Sequence, residues 1–229
     1  MRPGNDPDAH WLQIGAGIGE SMTQQAAKLA LDHLAISAQT LEEGRQAVEA
    51  LLGVGLGPVG HHAFMSTHNR LLGLGPGEYL ELIAVDPDAP AVAHPRWFDL
   101  DRFKGPTRLT NWILRCDDLE RALAQAPEGA GRAVALQRGA FRWRMGVPAT
   151  GRLPFDGVYP ALIEWQGELH PCQRLPESGC RLKRLEVAHP DATALRAALP
   201  LRDDRVMFVT GPKALRATIL TPHGTRLLE

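Results

Sequence analysis

One histidine and one glutamate are set in largely apolar runs, LALDHLAIS (positions 29–37) and YLELIAVD (positions 79–86). In an extended strand alternate side chains share a face, so His33 lies with Leu31 and Ala35, and Glu81 lies with Tyr79 and Ile83. The opposite faces, with Leu34 and Ile36 or Leu80 and Leu82, are equally apolar, so both runs read as buried on both sides. A buried glutamate is seldom without a partner. The chemistry open to this pair is a hydrogen-bonded contact, general acid–base work, or ligation of a divalent metal by imidazole and carboxylate.

Two other stretches carry chemistry-bearing residues. GHHAFMSTHN holds His61, His62 and His68, with Thr67-His68-Asn69 read as a strand-to-strand corner where asparagine tolerates left-handed backbone. By parity His62, Phe64 and Ser66 share one face, and His61, Ala63 and Met65 the other. FRWRM sets Arg142 and Arg144 on one face and Phe141, Trp143 and Met145 on the other. No GxSxG or Walker string occurs, and the DHL tripeptide with a distant Ser or Asp makes no hydrolase triad.

The elements that must position these residues follow from hydrophobic period and turn signals. Residues 1–28 read as a mobile tail rich in Gly, Pro and Asp. Within it GAGIGE follows no strand and is not read as a phosphate loop, and Met22 is a candidate natural start that terminal sequencing would test. After the first strand, TLEEGRQAVEALLGV predicts a helix with Thr40 and Glu43 as a capping box and an apolar stripe of Leu41, Val48, Leu51 and Leu52. HHAFMST, NRLLGL and the glutamate strand complete a β-α-β-β-β unit over 29–86. A proline-rich connector (87–106) contains a short helix around 96–103. RLTNWILRC, a helix capped by Asp117 with Glu120, AVALQRG, AFRWRMGVP and YPALIEWQG then repeat β-α-β-β-β over 107–175. Setting LDHLAISAQTLEEG against LTNWILRCDDLERA puts Asn111 where His33 lies and Glu164 where Glu81 lies. In this register Trp165 is core beneath the helix. Residues 176–229 read as a third, shorter β-α-β-β appendage.

Composition excludes several classes. With 25 basic and 26 acidic residues interleaved, no basic stripe exists for nucleic acid. No apolar run reaches the length of a membrane span, and no secretory leader is visible. Cys116, Cys172 and Cys180 make neither a disulfide framework nor a zinc pattern, and read as reduced thiols of a cytoplasmic protein.

The tandem units, with THNRLLGLG, EYLELIAVDPDAP, PRWF and LIEWQG, resemble the glyoxalase-like family of the vicinal oxygen chelate superfamily. The resemblance implies an α+β fold in which two β-α-β-β-β units curl into a half-barrel cup, with ligands on the first and last strands of each unit. Carried over, these are His33, Glu81, Asn111 and Glu164. Asn111 is a neutral amide and a poor transition-metal ligand, so the metal set becomes His33, Glu81 and Glu164, with His62 or His68 as a substitute. Asn111 then joins His62, Phe64, His68, Asn69 and Trp143 as substrate contacts. The cofactor implied is a divalent metal, Zn, Mn, Ni, Co or Fe, acting as a Lewis acid. If instead Glu81 and Glu164 converge without metal, one should have a raised pKa and act as catalytic base. Two functions stay open: a lyase, isomerase or dioxygenase acting on a small oxygen-rich molecule, and a metal-free cup that holds a drug or metabolite. The partner is a small-molecule ligand, with no nucleic acid and no membrane, in a monomer or homodimer.

Overall fold

A computed structural model describes residues 26–229. The expected tail and the candidate start at Met22 lie outside the described residues, apart from positions 26–28. The architecture is α+β, as expected: among the described residues it comprises an eight-stranded curled sheet, a separate four-stranded sheet and three α-helices.

The first unit runs β1 (Leu29–Ser37), α1 (Leu41–Leu52), β2 (Gly60–His62), β3 (Thr67–Gly73) and β4 (Tyr79–Val85). Thr40 caps α1 by accepting from the Glu43 backbone N–H. Gly44 inside α1 allows close approach to the sheet, for a Cβ there would lie 2.5 Å from Leu82 and 2.7 Å from Ala38. HHAFMST is not one strand: β2 stops at His62, residues 63–66 turn, and Thr67–Asn69 belong to β3 rather than to a corner. The left-handed residue in that turn is Ser66, at φ 47°.

The second unit runs β5 (Arg108–Cys116), α2 (Leu119–Gln125), β6 (Arg132–Arg138), β7 (Phe141–Val147) and β8 (Ala161–Trp165). The cap of α2 is Asp118, which accepts from the Arg121 N–H, one residue beyond the expected Asp117. Asp117 instead accepts from the Lys28 N–H.

The two units join through antiparallel β1 and β5, giving the order β2-β3-β4-β1-β5-β8-β7-β6. The sheet curls until β2 and β6 meet without pairing, and at Gly60 only a missing Cβ leaves room for the Arg138 side chain. The β1–β5 register slips between Leu31 and His33, making Asp32 a bulge. Residues 97–102 of the connector form two short helical turns joined across a kink, where Phe98 and Asp99 hold left-handed φ values of 57° and 55°.

The third unit is β9 (Arg181–His189), α3 (Ala192–Ala197), β10 (Val206–Thr210), β11 (Ala214–Thr221) and β12 (Gly224–Leu228), in the order β10-β9-β11-β12. It is one strand longer than expected, because Gly224 turns the chain back along β11. Among the described residues no helix is long and apolar enough to cross a membrane.

Candidate functional site

β1, β4 and β3 place His33, Glu81, Tyr79 and Asn69 in the cup, and β2 adds His62. The second unit contributes Arg138, Trp143, Met145, Ile163 and Trp165, and the connector lays Trp97 and Phe98 against them. These groups leave a small cavity between them that opens to solvent.

A polar chain crosses this aromatic chamber. His33 Nδ1 lies 2.7 Å from Asp32 Oδ1 and its Nε2 lies 3.5 Å from Glu81 Oε2. The Asp32 carboxylate also accepts from Trp165 Nε1 at 3.0 Å and meets His170 Nε2 at 3.1 Å. On the other side the Asn69 amide donates to Glu81 Oε1 at 2.6 Å and to His62 Nε2 at 3.3 Å, while Arg138 donates to Asn69 Oδ1 at 2.8 Å. His62 Nδ1 lies 3.1 Å from Thr67 Oγ1. The His33 ring stacks on Tyr79 with centroids 4.4 Å apart.

Charge follows from these contacts. Burial alone would lower His33, but hydrogen bonds and charge from Asp32 and Glu81 outweigh it and raise it to about 9. Burial alone would raise Glu81, but His33, with help from His62 and Asn69, holds it down at about 2. Burial would likewise raise Asp32, yet His170 and His33 hold it well below the usual carboxylate range. His62 is pushed down to about 4 by burial and is neutral at pH 7. The cup thus holds an imidazolium between two carboxylates, beside a neutral imidazole.

Of the residues singled out from sequence, His33, Glu81, His62, Asn69 and Trp143 come together here. Glu164 does not. It lies on the opposite face of β8, where it accepts from the Leu119 N–H at the start of α2 and from Arg144 at 2.7 Å. The cup-facing residues of β8 are Ile163 and Trp165, so the expected equivalence with Glu81 is off by one residue, which exchanges the faces of a strand. Trp165 accordingly lines the cup rather than the helix. Glu164 is held low, not raised: burial opposes, but Arg144 and the Leu119 N–H prevail. Asn111 pairs with Ala35 and lines another cavity, of about 120 Å³, with Arg108, Arg152 and Lys213. Phe64 sits in the 63–66 turn, about half exposed and stacked on His94. His68 points away from the cup, because β3 alternates and its neighbours Thr67 and Asn69 point inward. Sequence reasoning missed Asp32, Arg138 and His170. For Asp32 a signal existed: a second ionisable residue in an apolar strand needs a partner.

The four-ligand centre implied by resemblance is not assembled, since Glu164 and Asn111 are elsewhere. A reduced set of His33, Glu81 and His62 fits no better. The Asn69 amide donates to both Glu81 and His62, so N–H groups point into the position a cation would need. Among the described residues, three ligand atoms within 4.8 Å of one another occur only at His61, His68 and Asp86, outside the cup.

The family model of the glyoxalase-like domain matches residues 31–201. Among solved structures, a hypothetical protein from Staphylococcus aureus aligns over 87% of this chain and 84% of that one, with a TM-score of 0.54 and 13% identity. Methylmalonyl-CoA epimerase from Mycobacterium tuberculosis aligns over 61% of this chain and 88% of that one, with a TM-score of 0.40 and 20% identity. No curated protein matches the sequence. With the match covering most of its length, the chain belongs to the glyoxalase-like domain family.

Proposed function

We propose that the chain takes a small carbonyl-bearing molecule into the cup and moves a proton on it with Glu81 and His33, in an isomerase- or lyase-type reaction without a metal in the cup. The observation that carries this reading is His33, held as an imidazolium by Asp32 with its Nε2 turned to Glu81. A carbonyl oxygen entering beside Nε2 takes over the hydrogen bond that Glu81 now shares. Released from that partner, the carboxylate becomes more basic. It then removes the proton from the carbon next to the carbonyl, and the C–H electron pair moves onto the oxygen, where His33 stabilises the charge. Return of the proton to carbon gives isomerisation; expulsion of a β-leaving group gives elimination. Arg138 and Asn69 orient the molecule, and Trp97, Trp143 and Trp165 exclude water from it.

A second reading, a cup that holds its ligand without turnover, is favoured by the three tryptophans on its wall. Proton exchange separates the two. Small 2-oxo acids, 2-hydroxy ketones and dicarbonyls are incubated with protein in D2O and their C–H signals followed by NMR. Exchange that depends on Glu81 and His33, and disappears in folded Glu81→Gln and His33→Gln variants, supports the enzyme. Tight binding with no exchange by any compound moves the assignment to the holding cup. Elemental analysis of untagged protein completes the test: stoichiometric metal lost in His33→Ala would overturn the metal-free reading.

A further inference from the structure

We propose that the outer face of β2, β3 and the end of β4 carries a separate transition-metal site formed by His61, His68 and Asp86. The antiparallel register sets His61 directly opposite His68, and Asp86 follows β4 beside them. His61 Nδ1 lies 2.8 Å from Asp86 Oδ2, His68 Nδ1 lies 3.8 Å from Asp86 Oδ1, and all three ligand atoms lie within 4.8 Å of one another. A tetrahedral zinc bound at about 2.0–2.1 Å sets neighbouring ligand atoms about 3.4 Å apart. The cluster brackets that spacing, and His61 is free to adjust because its side chain is 64% exposed.

Two features distinguish the group from a chance surface cluster. Asp86 is fixed in place: its backbone N–H donates to Ser66 O at 3.0 Å and its Oδ1 accepts from the Asp88 N–H at 3.1 Å. His68 is the reverse, a mostly buried ring with no hydrogen-bond partner. Its Nδ1 is beyond reach of Asp86, and its Nε2 is buried and unpaired. The Nδ1 faces the Asp86 carboxylate without bonding to it, and a metal between the two gives that nitrogen a partner while Nε2 stays unpaired. Two imidazoles and one carboxylate suit zinc, cobalt, nickel or iron rather than calcium or magnesium. The exposed side of His61 leaves the remaining positions open to water. Strand alternation keeps this site apart from the cup, since His62 and Asn69 point the other way.

The test is calorimetric titration of the untagged full chain with zinc chloride at neutral pH, beside His61→Ala, His68→Ala and His33→Ala. One equivalent of zinc at micromolar affinity or tighter is expected, weakened about tenfold or more by His61→Ala and by His68→Ala and unchanged by His33→Ala. Cobalt absorption in the visible region should follow the same pattern. His61→Ala removes a mostly exposed ring and its contact to Asp86, so thermal stability without metal should fall only slightly. No saturable zinc binding, or binding that survives His61→Ala and disappears in His33→Ala, would overturn the assignment.

Discussion

The indole N–H of Trp165 donates to Asp32 Oδ2 at 3.0 Å, across 133 positions of sequence. The contact ties the closing strand of the second unit to the opening strand of the first, and it exists because the bulge at Asp32 turns that carboxylate toward its partners. Asp32 is fully buried and serves three groups, His33, Trp165 and His170. Asp32→Asn therefore removes one of the two carboxylates that balance the His33 imidazolium. Removing one member of a buried ionic group costs about 3–5 kcal/mol. Urea unfolding should show a loss of that order, and a loss below about 1 kcal/mol would contradict the role given to Asp32.

Stability should peak near pH 6.5 as far as the cup is concerned. His33 is raised to about 9 from the usual 6.5, so its contribution is complete below 6.5 and lost as pH rises through 9. His62 is lowered to about 4, so the folded state stays neutral while the unfolded state takes up a proton; its contribution is complete above 6.5 and lost on falling to 4. Glu81 adds a contribution complete above 4.5 and lost as pH falls through about 2. Melting temperatures across this range should fall on both sides of the maximum. His33→Gln should remove the alkaline limb and His62→Gln should reduce the acid one.

Glu164 and Glu81 should separate cleanly by mutation. Glu164→Gln weakens the Arg144 pair and the bond to the start of α2, at a cost of about 1 kcal/mol. It should leave the titration of His33, read by NMR, unmoved. Glu81→Gln should lower the His33 pKa, because it removes one of the two carboxylates that raise it. A shifted His33 in Glu164→Gln would contradict the assignment of Glu164 to the outer face.

Trp97 offers a test of the chamber wall. Its Nε1 is buried without a partner, while its ring meets His62 edge-on at 5.1 Å. Trp97→Phe keeps most of the packing and discards the unpaired N–H, so thermal unfolding should be unchanged or slightly raised. Trp97→Ala removes the ring and should cost about 3–5 kcal/mol. Equal losses in both variants would mean that the indole N–H is paired in solution.

Much of this was legible from residue pattern. Polar residues set in largely apolar strands pointed to His33 and Glu81, the repeated strand–helix–strand order gave the two units, and alternation in FRWRM offered Trp143 as a wall residue. Failures occurred where a single residue of register decides the outcome. Glu164 and Trp165 exchange faces under a shift of one, and hand alignment of two short strands cannot fix that shift. Asp32 was hidden by a bulge, which breaks the alternation on which face assignment rests. Arg138 and His170 reach the site from a distant strand and a loop, and no local pattern announces a contact of that range.

The connector lays Trp97 and Phe98 against the chamber through two consecutive left-handed residues, Phe98 at φ 57° and Asp99 at φ 55°. Neither is a glycine, so local preference does not favour that backbone and the surrounding packing has to hold it. One wall of the cup is therefore shaped by tertiary contacts alone, and substitutions that loosen those contacts should reshape the chamber before they unfold the sheet.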